Sequence, residues 1–270
     1  MSPDTNQAWP LYVVSLKDDL ARRDPLERQL REFDLPYIVF DAVDARKGVP
    51  GELEQFIDRR AARQNLGREM VNPEFGCALS HMLLYKEILE KGLPGAIILE
   101  DDAFLSAGFG PFLSSGIYRE FSMLHLSFGW SRIWRWGLGR RRLAPGVFSE
   151  RVLFNPGLTT GYTISSKAAR FILDHSLPLS LPADWPCCLR PLKPRLILPR
   201  LVHEPLQKNE TSHIESARSG ASEVRKAVKI SLVHRFMRKF FPRQRRHNPF
   251  PPLFWIYQPL TRWHVERRAQ

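Results

Sequence analysis

A chain of 270 residues is long enough for one large α/β domain, or for a domain with a tail, and its 43% apolar and 25% charged residues are ordinary for a globular protein. The formal net charge of +12 is not ordinary and points to an anionic partner: a nucleic acid, a phosphate-bearing substrate or an anionic membrane surface. No run reaches the ~18 consecutive apolar residues of a membrane-spanning helix, and residues 1–6 have neither the basic start nor the apolar core of a secretory signal. Cys77, Cys187 and Cys188 form no metal-type spacing and no even framework, so a reduced, cytoplasmic setting is expected.

In chain order, Leu11-Tyr12-Val13-Val14-Ser15-Leu16 reads as a strand, and Asp18 or Asp19 caps a helix running to about Phe33. Tyr37-Ile38-Val39-Phe40 is a second strand, ending at Asp41-Ala42-Val43-Asp44. A polar, Arg-rich segment over 47–72 reads as a helix and a loop. Residues 76–91 have helical apolar spacing, stopped by Gly92-Leu93-Pro94-Gly95. The next strand, 96–99, is continuously apolar and ends abruptly in Glu100-Asp101-Asp102. A fourth strand covers 122–127, and an aromatic, basic loop covers 128–142. A further strand spans 159–164, followed by a helix over 167–175 capped by Ser166. Pro-rich chain over 178–194 leads to a last strand at 195–202. Strands alternating with helices predict an α/β fold with a mostly parallel sheet flanked by helices.

The acidic run is the most informative feature. Apolar strands covered on both faces tolerate no charge, so the carboxylates sit at the strand's C-terminal end, the edge where open α/β sheets bind ligands. Three adjacent carboxylates repel one another, and a cation holds them together. Oxygen ligands of this kind suit Mg²⁺ or Mn²⁺, with substrate phosphates completing the shell. A solvated acidic turn is the simpler alternative.

Asn72-Pro73-Glu74-Phe75-Gly76-Cys77-Ala78-Leu79-Ser80-His81, followed by Ile97-Ile98-Leu99-Glu100-Asp101-Asp102, resembles the core signature of glycosyltransferase family 25. Three further pieces fit in order: Val13-Val14-Ser15-Leu16 with Arg22-Arg23, Phe40-Asp41-Ala42-Val43-Asp44, and the block from Thr160 to Ala169. The resemblance spans about 11–215. It implies a domain over 9–215 with a GT-A-like, Rossmann-type fold. It also implies inverting transfer of a hexose, galactose or glucose, from a UDP-sugar in the presence of Mn²⁺ or Mg²⁺. The acceptor it implies is a lipid-linked oligosaccharide such as a lipopolysaccharide core.

On that resemblance, Asp102 is the first metal ligand, with Glu100 on the metal or the donor ribose and His203 completing the shell. Arg22 and Arg23 neutralise the diphosphate, Asp44 meets the uracil or ribose, and Ser80 and His81 shape the donor pocket. Inversion needs a general base opposite the leaving group; Asp184 is the candidate and Asp101 the alternative. Trp130, Trp134, Trp136 and Trp185 offer faces to the acceptor sugar. Each residue also has a plain reading: a turn cap for Asp44, a solvated helix face for the arginines, an interior histidine for His81.

Residues 216–270 lie outside the resemblance and carry thirteen Arg and Lys against Glu223 and Glu266. With their interleaved aromatics they are expected to hold the enzyme peripherally on the cytoplasmic face of the inner membrane. The competing class, a nucleic-acid-binding protein or metal-dependent nuclease using this basic tail, leaves the ordered motif set unexplained, and no nucleic acid is expected as a partner. A catalytically dead scaffold is a third reading, which the intact acidic run disfavours.

Overall fold

The structure, a computed structural model, describes residues 9–129, 131–134, 138–153 and 155–204, together with Ile214 and residues 261–264; of Trp134 and 261–264 only the backbone is described. The elements, in chain order, begin with β1 (Leu11–Ser15), α1 (Leu20–Glu32), β2 (Ile38–Asp41), α2 (Arg59–Leu66), α3 (Asn72–Glu90) and β3 (Gly95–Glu100). Next come β4 (Phe104–Leu105), α4 (Phe109–Ser115), β5 (Met123–His125), β6 (Ser131–Trp134), β7 (Arg141–Ala144) and β8 (Val147–Arg151). The remainder are β9 (Gly161–Ser165), α5 (Ser166–Ser176), β10 (Arg195–Leu198), β11 (Val202–His203) and β12 (Thr261–His264).

Eight strands form one sheet in the order β2-β1-β3-β9-β5-β10-β8-β7. β1 is parallel to β2 and β3, and β10 is parallel to β5. β9 lies antiparallel between β3 and β5, and β8 lies antiparallel between β10 and β7. The sheet is therefore mixed but mostly parallel, with β9 and β8 running against the other six.

Helices cover both faces, which is why β1 and β3 are apolar without alternation. On one face Leu11, Val13, Ile97 and Leu99 meet Leu26 and Leu30 of α1 and Phe109 and Phe112 of α4. On the other, Tyr12, Val14, Ala96 and Ile98 meet Leu84, Tyr85 and Ile88 of α3 and Ala168, Ala169 and Ile172 of α5.

Several boundaries differ from the sequence expectation for local reasons. Asp19 occupies the N-cap of α1 but makes no side-chain cap bond. α3 starts at Asn72, not near Gly76: Pro73 is pre-set for a first helical turn, and Glu74 reaches back to accept the Val71 N–H at 3.0 Å. Ser165, not Ser166, caps α5, its Oγ accepting the Ala168 N–H at 3.2 Å. The expected loop over 128–142 contains β6 and the start of β7, and the last expected strand is two strands, β10 and β11. Part of the basic C-terminal stretch is also drawn into pairing, because β12 runs antiparallel to β6. The rest of 216–270 lies outside the described residues. Among the described residues, no helix is long and apolar enough to cross a membrane.

Gly76 explains one letter of the motif on α3. A Cβ there would stand 2.8 Å from the Ala45 Cβ and 2.9 Å from the Val43 carbonyl oxygen, so only glycine lets the chain after β2 lie this close to the helix. Gly76→Ala is expected to lose about 1–3 kcal/mol through this overpacking, although alanine is the better helix former. Urea unfolding followed by circular dichroism checks it; unchanged stability would show that the 43–45 segment yields freely.

Candidate functional site

Because β1, β2 and β3 are parallel, their C-terminal ends meet at one edge, where the chain leaving β2 and the starts of α1 and α3 close around them. The result is a cleft of about 700 Å³ whose lining includes Ser15, Arg22, Asp44, Cys77, Ser80, His81, Glu100 and Asp101. Six of the residues singled out from the sequence are thus brought together: Arg22, Asp44, Ser80, His81, Glu100 and Asp101.

The acidic run does not continue β3. The strand ends at Glu100, and Asp101 and Asp102 form a turn in which the Ala103 N–H donates to the Glu100 carbonyl at 3.0 Å. The turn cancels the strand alternation that would have pointed Asp101 away from its neighbours. Both aspartates meet one guanidinium: Arg22 Nε donates to Asp101 Oδ1 and Arg22 Nη2 to Asp102 Oδ2, each at 2.6 Å. Asp101 Oδ2 also accepts from Ser15 Oγ at 3.0 Å. Burial raises the Asp101 carboxyl above its usual range, partly offset by Arg22 and Ser15. Asp102 is pushed up to about 7, first by burial and then by the Glu100 charge, against the pull of Arg22. Its Oδ1 is buried with no hydrogen-bond partner.

Glu100 is held differently. Burial favours its neutral form, but His81, the Thr159 hydroxyl and Arg22 together bring it below its usual value. Thr159 Oγ1 donates to Glu100 Oε1 at 2.5 Å, and His81 Nε2 lies 3.3 Å from the same oxygen. The other ring nitrogen, His81 Nδ1, is 2.7 Å from the Tyr162 hydroxyl, which is 2.7 Å from the Tyr85 hydroxyl. An ionised Glu100 only accepts, so the consistent chain runs from Tyr85 through Tyr162 into Nδ1, with Nε2–H donating to Glu100.

Other candidates fall elsewhere. Ser80 lines the cleft, but its hydroxyl is committed: it accepts the Val43 N–H at 2.8 Å and donates to the Gly76 carbonyl at 2.7 Å. It fastens the chain after β2 to α3, so its place in the cleft is that of a wall residue holding the 43–45 segment. Asp44 is gripped by Arg46 Nε at 2.9 Å and Nη2 at 2.7 Å, which holds its carboxyl down to about 2. Arg46 also takes Asp18 at 2.7 Å. Arg23 is outside the cleft lining and pairs along its own helix with Glu27 at 2.8 Å, so it is not placed for a diphosphate.

Asp184 is exposed, and its charge, after burial and with those of Glu100, Asp102 and Asp101, helps to keep the Cys77 thiol protonated. His203 pairs with Phe104 across β11 and β4. The expected metal set of Asp102, Glu100 and His203 does not converge. Among the described residues, the ligand atoms that lie within 4.8 Å of one another belong to Cys77, His81 and Glu100. Trp185 is 3% exposed, edge-on to His125 and Tyr162, so its ring is core and offers no face to a sugar. Trp134 is placed in β6 by its backbone alone, and Trp130 and Trp136 lie outside the described residues.

Sequence reasoning missed Ser15 at the end of β1, Arg46 in the chain after β2, Thr159 just before β9 and Tyr162 within it. It also missed the role of Glu74, whose fully buried carboxylate is clamped by both terminal nitrogens of Arg68. The motif's glutamate is thus a structural anchor for the start of α3.

A hard divalent cation would find a buried, unpartnered oxygen on Asp102, and Asp102 with Glu100 would hold it, but the three carboxylates of the acidic run do not bring their oxygens within 4.8 Å of one another.

Residues 8–135 match the model of glycosyltransferase family 25, described as an LPS biosynthesis protein. The chain is similar to procollagen galactosyltransferase 1-B of Xenopus laevis, 28% identical over 203 residues that make up 67% of this chain and 31% of that protein. It is also similar to the lipooligosaccharide biosynthesis protein lic2B of Haemophilus influenzae, 28% identical over 109 residues, 40% of this chain and 39% of that one. A third relative, the probable inactive glycosyltransferase 25 family member 3 of Rattus norvegicus, is 30% identical over 188 residues, 64% of this chain and 31% of that one. The chain thus spans less than two fifths of the length of each of these relatives.

The raised Asp102 carboxyl gives a stability signature. A folded-state value above the unfolded one contributes stability that is present below pH ~4 and lost as the pH rises through about 7. Asp102→Asn removes that loss, so its Tm relative to the parent should climb by a few degrees between pH 5 and pH 8 in metal-free buffer. A pH-independent difference would mean that Asp102 is ionised throughout.

Proposed function

We propose that the chain, whose residues 8–135 match the model of glycosyltransferase family 25, is an inverting, GT-A-like glycosyltransferase moving a hexose from a UDP-sugar to a lipid-linked oligosaccharide. The observation that carries this reading is the acidic end of β3 in the cleft, where Glu100 and Asp101 line the wall and the Asp102 Oδ1 lies buried without a partner in the turn behind them. A binding protein gains nothing from a carboxylate held near pH 7 in an acidic cluster, whereas perturbed groups of this kind gather where charge is handled.

In this reading Asp102 and Glu100 would hold Mn²⁺ or Mg²⁺, which when bound would supply stabilisation of the charge on the departing diphosphate. Arg22 is the residue that serves the diphosphate: it has five donors and already spans two anionic groups in the cleft. Asp44 and Arg46 stand at the rim where the nucleoside would enter. His81 orients Glu100 and is itself fixed by Tyr162. Asp184 is the proposed base for the acceptor hydroxyl: it is exposed to solvent, whereas Asp101 is buried with its oxygens on Arg22 and Ser15. Tryptophans 130, 134 and 136 remain the proposed acceptor contacts, and the cytoplasmic membrane face the proposed location.

UDP-sugar turnover with and without Mn²⁺ tests the reading. Asp102→Asn should abolish transfer with the fold intact, and Asp184→Asn should bind UDP-sugar normally yet turn over ~10²–10⁴-fold more slowly. Metal-independent turnover by Asp102→Asn would remove the acidic run from the chemistry; normal turnover by Asp184→Asn would transfer the base role to Asp101.

The membrane part is tested separately. Each basic residue near an anionic surface is worth about 1 kcal/mol, so the full chain should co-sediment with phosphatidylserine-containing vesicles at low salt and release as salt rises. Indifference to such vesicles at low salt would end the membrane reading and leave the catalytic one standing.

A further inference from the structure

The cleft holds a second set of donors, two of which, Cys77 and His81, the proposed transfer reaction does not use as ligands. Cys77 and His81 are four residues apart on α3 and share one face of the helix, and Glu100 closes on them from the end of β3. All three line the cleft, and one ligand atom from each lies within 4.8 Å of the other two. We propose that Cys77, His81 and Glu100 form a binding site for a soft or borderline divalent cation such as Zn²⁺ or Co²⁺, one that shares Glu100 with the hard-ion carboxylates and therefore competes with them for it.

The geometry supports three-point ligation. His81 Nε2 and Glu100 Oε1 are 3.3 Å apart. That is long for a hydrogen bond to a carboxylate, but two tetrahedral ligands at ~2.1 Å from one ion stand about 3.4 Å from each other. The Cys77 Sγ lies within 4.8 Å of both atoms, and the cleft that all three residues line leaves room for a fourth ligand.

The surroundings of the histidine match as well. A metal-ligating imidazole almost always has its second nitrogen held by a polar partner that fixes ring orientation and tautomer. Here the Tyr162 hydroxyl does so at 2.7 Å, backed by Tyr85. Since either tyrosine can be the donor of that pair, Nδ1–H can donate to Tyr162 and leave the Nε2 lone pair for the ion. Thr159 Oγ1 donates to the same Glu100 Oε1 and so fixes the carboxylate in place. Ligation by the thiolate sends the Cys77 proton to solvent and changes no oxidation state. The donor set of one sulfur, one nitrogen and one oxygen selects against Mg²⁺ and Mn²⁺, which prefer all-oxygen shells. This inference does not rest on sugar transfer: it concerns which ions the cleft accepts.

Titration of the full-length protein with Co²⁺ under reducing, anaerobic conditions tests it by absorption spectroscopy. The expected result is one Co²⁺ per chain with a thiolate-to-cobalt charge-transfer band in the near ultraviolet, bleached by Zn²⁺. Cys77→Ser should abolish the band, with circular dichroism confirming the fold. Asp102→Asn should keep it, even if that variant loses every trace of transferase activity. A wild-type complex without the band overturns the proposal. So does a band that survives Cys77→Ser, which would assign it to Cys187 or Cys188, and so does a band lost with Asp102→Asn, which would place the ion on the hard carboxylates.

Discussion

The bidentate grip of Arg22 on Asp101 and Asp102 is the constraint on which the rest of the cleft depends. Three consecutive carboxylates at one strand end would drive the 100–102 turn apart, and the turn instead closes around a single guanidinium from the first turn of α1. The arrangement is under-neutralised by design of the chain: one positive group serves two aspartates while Glu100 relies on His81 and Thr159. The deficit surfaces at Asp102, whose carboxyl rises to about 7 because burial and Glu100 outweigh Arg22. A site in electrostatic deficit has free energy to gain from a cation or a cationic transition state, which a neutral surface turn lacks.

The second organising element is α3. Its Ser80 hydroxyl bonds the Val43 N–H, its Gly76 permits that segment to lie against the helix, and its His81 meets Glu100. One helix therefore positions the wall of the cleft that follows β2 and the acidic end of β3 together. Buried Glu74 and Arg68 fix where that helix begins. The motif residues thus divide their labour: Pro73, Glu74, Gly76 and Ser80 build, while Cys77 and His81 face the opening.

The fold was legible in the sequence where local pattern and burial coincide. The continuous apolar runs of β1 and β3 need two covered faces, and both have them. What pattern did not carry was chain direction: β9 reads as apolar strand either way, and only its partners make it antiparallel. Site legibility followed the same division. Arg22, Glu100 and His81 converge because their elements were correctly placed in order. Arg23, one residue from Arg22, turns to Glu27, since adjacent residues on a helix point about 100° apart. Trp185 looked like a sugar platform by composition, yet its irregular segment folds inward onto Tyr162 and His125. Ser15, Thr159 and Tyr162 carry no sequence signal of their own; each acquires its role only through a strand neighbour or a residue distant in sequence.

Glu100 is where these threads meet. Its carboxylate stands between an oxygen-lined side, with Asp101, Asp102 and Arg22, and a nitrogen–sulfur side, with His81 and Cys77. Burial opposes its ionisation, but the hydrogen bonds from His81 and Thr159 outweigh burial, so Glu100 stays charged while Asp102, with its unpartnered oxygen, does not need to. With the fixed negative charge on Glu100, Asp102 is the member of the run whose protonation changes near neutrality. The order of the three residues then has a physical meaning: the strand end supplies a charge locked by the core, the first turn residue is tied through both oxygens to Arg22 and Ser15, and the second shares that arginine through one oxygen while its other oxygen stays unpartnered.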